Sequence, residues 1–143
     1  MPPGDGMVCS VHRGDKLPIR VLLADDSDAL RNAIARHLAT EPRIELVGQA
    51  KEFKRAVQLV NECAPDVVLL DLRMTTALDA DEQGIRQICE CKTIAMSASL
   101  DDETLALVGR VKADAFIDKM YLYDKLIPTI FELMAGPEAT GAV

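Results

Sequence analysis

From Ile19 onward the chain alternates short, mostly apolar runs with amphipathic stretches, and it does so five times. The apolar runs are Ile19 to Ala24, Ile44 to Gly48, Val67 to Leu70, Thr93 to Ser97 and Ala115 to Ile117. Between them apolar residues recur at steps of three and four: Leu30, Ala33, Ile34, His37 and Leu38, then Phe53, Ala56, Val57 and Val60, then Ile85, Ile88 and Cys89, then Leu105 and Val108. Leu126, Ile130, Phe131 and Met134 repeat the pattern after the fifth run. Such spacing marks helices with one apolar stripe. Apolar strands separated by single helices imply a parallel sheet covered on both sides, because parallel neighbours require a crossover. The predicted fold class is therefore α/β, a five-stranded doubly wound parallel sheet with helices on both faces.

A length of 143 residues suits one domain. Residues 1–18, rich in Gly, Pro and charge without hydrophobic period, read as a flexible arm. The folded domain is expected over 19–136, with Gly136-Pro137 ending the last helix and 137–143 as a tail. Pro128 is placed near the start of that helix, where first-turn amides have no intrahelical acceptor. Sixteen Lys and Arg against 23 Asp and Glu give a net charge of −7, so the surface is expected to repel phosphate backbones and anionic membranes. On that ground the expectation is no direct nucleic acid binding and no membrane binding. No apolar run approaches the roughly 20 residues of a membrane span, and the N-terminus has no secretory pattern; a soluble, cytoplasmic protein is expected. Cys9, Cys63, Cys89 and Cys91 are read as reduced thiols, and Cys89-Glu90-Cys91 lacks the two-residue spacer of a zinc knuckle. His37 lies on a core-facing stripe and reads as packing, and His12 belongs to the arm.

Ligands of open parallel sheets collect outside the carboxyl ends of the strands, near the point where strand order reverses. There the sequence puts Asp25-Asp26 after strand one, Asp71 after strand three, Ser97 after strand four and Lys119 just after strand five. Three carboxylates on one rim repel one another, and a hard divalent cation relieves this more simply than protonation does. Mg²⁺ takes one or two carboxylates and keeps several waters. A carboxylate beside such a cation can attack phosphorus and form an acyl phosphate, with Lys119 and the Ser97 hydroxyl available to the other phosphoryl oxygens.

Asp25, Asp26, Asp71, Ser97 and Lys119, each at its own strand end, resemble the receiver domain of bacterial two-component response regulators, over about residues 19 to 135. The resemblance implies a flavodoxin-like receiver fold of the stand-alone type. It implies Asp71 as the phosphoacceptor, Asp26 as a direct Mg²⁺ ligand, Asp25 as a ligand acting largely through water, and the backbone carbonyl of Arg73 completing the metal shell. Lys119 would pair with the acceptor and then the phosphoryl group, and Ser97 would swing to bond a phosphoryl oxygen beside the small Ala98. Phe116 falls at the position of the family's aromatic switch residue. The implied protein is no enzyme in the ordinary sense but a phosphorelay module. Its donor would be a histidine kinase or phosphotransfer protein, and its unknown downstream partner would meet the face of helix four, strand five and helix five.

Two departures from the family pattern stand out. The family usually has proline and then glycine soon after its acceptor, whereas Asp71-Leu72-Arg73-Met74 runs on through Thr75 to Gln83 before Gly84. The loop is long, so the third helix must be short. Met120 replaces the usual proline after the lysine, and a cis bond there is not expected, since it costs about 2.5 to 4 kcal/mol without proline. The competing readings are fewer in supporting residues. A hydrolase or phosphotransferase using the same acyl phosphate needs an acid or base near the nucleophile, and Arg73 stands where one would be sought. A degenerate receiver that binds partners without phosphorylation is the alternative function. A flavin site would need a phosphate loop where Asp25-Asp26 repel phosphate.

Overall fold

The computed structural model describes residues 17–141, with side chains as far as residue 135. The arm assigned to 1–18, with Cys9 and His12, lies almost wholly outside the described residues. The elements are β1 (Ile19–Ala24), α1 (Asp28–Leu38), β2 (Ile44–Ala50), α2 (Phe53–Cys63), β3 (Val67–Asp71), α3 (Glu82–Cys89), β4 (Lys92–Ser97), α4 (Asp102–Val111), β5 (Ala115–Asp118) and α5 (Leu122–Gly141). Short 3-10 turns, Leu72–Thr76 and Lys119–Tyr121, follow β3 and β5. All strands are parallel, in the order β2-β1-β3-β4-β5.

Alternate residues of each strand feed two separate cores. Leu22, Ala24, Val68, Leu70 and Ala95 meet Phe53, Ala56 and Val60 of α2, Ile85 and Ile88 of α3 and Val111 of α4. Val21, Leu23, Val67, Leu69, Ile94, Met96 and Ile117 meet Ile34 and Leu38 of α1 and Leu122, Leu126 and Ile130 of α5. Because β1 pairs with β2 on one side and β3 on the other, strand order reverses between β1 and β3. Their carboxyl ends therefore flank the switch point at which open parallel sheets bind ligands, and Asp25 and Asp71 stand there.

The sheet and the short third helix agree with expectation; three details differ. Leu105 points outward at 55% exposure, and α4 buries Thr104 and Val111 instead. The Lys119–Tyr121 turn takes the first bend, so α5 starts at Leu122 and Pro128 falls in its second turn, beyond the amides that lack acceptors. An interior proline costs a helix roughly 3 kcal/mol, and burial of Leu122, Leu126 and Ile130 on the same helix offsets it. The helix also continues through Gly136-Pro137 to Gly141 instead of stopping there. The peptide before Met120 is trans, the cis bond among the described residues being Leu17–Pro18.

Candidate functional site

Asp25 leaves β1 with its side chain fully buried. Its Oδ1 accepts from the Ser27 amide at 2.8 Å and its Oδ2 from Lys119 Nζ at 2.8 Å, so both oxygens are engaged. The turn is held by α1: Ser27 caps the helix, its Oγ accepting from the Leu30 amide at 3.1 Å, and Arg31 donates to the Asp25 carbonyl at 2.7 Å while pairing with Asp28. Asp26 is the exposed member, and its Oδ2 lies 3.3 Å from Arg73 Nη2. Asp71 ends β3 at 1% exposure. Its Oδ1 accepts from the Arg73 amide at 3.1 Å and lies 3.5 Å from Lys119 Nζ.

Asp71 Oδ2 is buried and accepts no hydrogen bond from any described group. Burial pushes the Asp71 carboxyl above its ordinary range; Lys119 pulls it down, and the charges of Asp25 and Asp26 push it up again. Carboxylate oxygens of Asp25, Asp26 and Asp71 lie within 4.8 Å of one another. An unpartnered buried oxygen inside such a cluster fits the all-oxygen ligands that a hard divalent cation takes.

Ser97 closes β4 at 6% exposure, and its Oγ accepts from the Ser99 amide at 3.1 Å, which leaves its own proton free to donate. Phe116 on β5 sits opposite Ala95 and packs, half-buried, against the α2–α4 core. Lys119 stands in the turn after β5 with its side chain 18% exposed. The Arg73 carbonyl, within the Leu72–Thr76 turn, accepts from Thr76 Oγ1 at 2.8 Å. Asp25, Asp26, Asp71, Arg73 and Lys119 are thus joined in one cluster, with Ser97 at the end of the strand next to Asp71.

Sequence reasoning missed two contacts. The Arg73–Asp26 pair depends on the direction of an exposed side chain in a turn, which no periodicity signals. Arg110 of α4 donates to the carbonyls of Thr75 and Ala80 at 3.0 and 3.3 Å and pairs with Glu82, which ties down the long loop after Asp71. Arg31, three residues after Asp28 on one helix, carried a legible signal. His37 is half-buried with its ring 5.2 Å from that of Tyr123, a packing role as expected.

The model of the response regulator receiver domain family matches residues 21–131. The chain belongs to that family. As a receiver it is a signalling module of phosphorylation-based two-component systems, and the reading drawn from the strand-end residues holds at that level. Among curated relatives, the transcriptional regulatory protein LiaR of Bacillus subtilis is 37% identical over 103 residues, 71% of this chain and 49% of LiaR. The receiver chain spans about half the length of the curated relatives it matches. Among solved structures, the signal receiver domain of the response regulator NarL from Mycobacterium tuberculosis superposes with a TM-score of 0.73 at 22% identity, covering 85% of this chain and 99% of that one. A DNA-binding response regulator of the LuxR family from Staphylococcus aureus does so with a TM-score of 0.68 at 18% identity, covering 81% and 98%.

These relatives correct the partner expectation drawn from charge. No direct nucleic acid binding was expected, yet LiaR is named a transcriptional regulatory protein and the Staphylococcus aureus neighbour a DNA-binding response regulator. The net charge of −7 describes these 143 residues and not the other half of such a relative, so it cannot exclude that class of output. Among the described residues no helix is long and apolar enough to cross a membrane.

Proposed function

We propose that the receiver accepts a phosphoryl group on Asp71 from the phosphohistidine of a histidine kinase or phosphotransfer protein, with Mg²⁺ in the acidic pocket. The observation that carries this reading is the buried, unpartnered Oδ2 of Asp71 inside a cluster of three carboxylates within 4.8 Å. One oxygen of the Asp71 carboxylate attacks phosphorus; the new P–O bond forms as the P–N bond breaks, and the imidazole leaves with its electron pair and takes up a proton. Asp26, Asp71 and the Arg73 carbonyl would hold the ion directly. Asp25, with both oxygens already bonded, would act through water. When bound, Mg²⁺ supplies positive charge to the phosphoryl oxygens as negative charge accumulates there. Lys119, 3.5 Å from Asp71 Oδ1, supplies a fixed cation to the same group.

Switching follows from Ser97 and Phe116. The free hydroxyl proton of Ser97 donates to a phosphoryl oxygen only when the β4–α4 loop moves inward, which vacates space that Phe116 fills from the same face of the sheet. The described thiols Cys63, Cys89 and Cys91 are unpaired, as suits the reducing cytoplasm in which such a donor works. Incubation with a small-molecule phosphodonor and Mg²⁺, then mapping of the modified residue, tests the reading. Acyl phosphate on Asp71 alone is expected, and phosphate elsewhere, or none, rejects it.

A further inference from the structure

In this pocket three carboxylates face two cations of different character. Lys119 is mostly buried and bonds Asp25 and Asp71, whereas Arg73 reaches Asp26 from the rim through side chains that remain 76% and 46% exposed. The backbone of Arg73 is fixed at both ends, its amide donating to Asp71 and its carbonyl accepting from Thr76. Only its side chain is free to leave. With both cations in place the cluster carries one excess negative charge. A divalent ion added on top would make the pocket positive, while the same ion with Arg73 released leaves it neutral. The guanidinium sits on Asp26 Oδ2, one of the two oxygens of a carboxylate that belongs to the cluster.

We propose that Arg73 is a built-in competitor for the divalent metal: it holds Asp26 in the metal-free receiver and is released as the ion binds. This rests on the metal-pocket reading above and deepens it. Arg73 therefore weakens metal affinity while keeping the empty pocket from accumulating uncompensated charge. Its side chain becomes available at the rim only in the loaded state.

The test is calorimetric titration of Mg²⁺ into the metal-stripped chain, for wild type, Arg73→Gln and Arg73→Lys. Removing a unit charge beside a divalent ion is expected to tighten binding by about three- to tenfold in Arg73→Gln, and Arg73→Lys, which keeps the charge, should lie closer to wild type. A second readout is melting in EDTA and in Mg²⁺: the gain in Tm on adding Mg²⁺ should be larger for Arg73→Gln, because ligand stabilisation grows as Kd falls. Binding by Arg73→Gln alone would be the extreme form of the same result. Equal or weaker binding by Arg73→Gln, with wild type binding, overturns the competition and leaves the metal pocket standing. No binding by any of the three proteins overturns the metal pocket itself, and the competition with it.

Discussion

Burial holds the Asp71 carboxyl above its ordinary value of 3.8, with Lys119 opposing and Asp25 and Asp26 reinforcing. A folded-state pKa above the unfolded one means that the folded protein binds this proton more tightly. The stability it contributes is complete below the unfolded value and is lost as pH rises through the folded one. In EDTA, Asp71→Asn should therefore melt above wild type at pH 7, with the gap narrowing as pH is lowered toward 3.8, as differential scanning fluorimetry would show. The same substitution should abolish acyl phosphate formation while leaving the circular dichroism spectrum unchanged, because an amide keeps the shape but is no nucleophile. Asp26→Ala should weaken Mg²⁺ binding by at least about tenfold, since a direct charged ligand is lost; a titration with unchanged Kd would move the ion elsewhere. The acidic residues were legible because strand ends can be read from apolar runs. The Arg73–Asp26 pair was not, because the chain of an exposed arginine obeys no pattern.

The elements around the site make their own demands. In α3, a Cβ on Gly84 would lie 2.8 Å from Phe53 Cε2 and 3.2 Å from Val57 Cγ2, both on α2, and Phe53 is 2% exposed. Alanine would gain about 1 kcal/mol in helix propensity, but overpacking costs about 1 to 3 kcal/mol. The steric term wins because a 2.8 Å approach to a buried ring forces a shift, so Gly84→Ala should lower stability by about 1 kcal/mol in urea melts; a higher midpoint would show that α2 and α3 can separate freely. Arg110→Gln removes the ion pair to Glu82 and weakens the hold on the Thr75 and Ala80 carbonyls. Faster amide exchange over residues 75–82 is expected, with that of the β-strands unchanged. Helices one, two and five were legible in outline from spacing alone. The outward turn of Leu105 was not, since two apolar residues at a step of three fix no face, and packing chose Thr104 and Val111 instead.

At the scale of the molecule, the sheet separates two cores that share every central strand. Leu69 and Leu70 are adjacent in β3, both essentially inaccessible, and face opposite sides. Leu69→Ala and Leu70→Ala should each cost about 2 to 5 kcal/mol, and each should shift one cooperative urea transition and not split it, because neither core survives without the strand between them. The five-stranded topology was legible because alternation of apolar run and amphipathic helix leaves few alternatives. The extent of α5 was not, since Pro128 was placed near its start and Gly136-Pro137 at its end, whereas the helix runs from Leu122 to Gly141. The bond between Lys119 and Asp25 joins positions 94 residues apart, from the first strand to the turn after the last. A ribosome delivers Asp25, Asp26 and Asp71 well before it delivers Lys119, so a nascent chain with four strands docked holds the whole acidic trio without its buried counter-ion. Arrival of the fifth strand therefore brings a counter-ion to the acidic trio as well as adding an edge to the sheet.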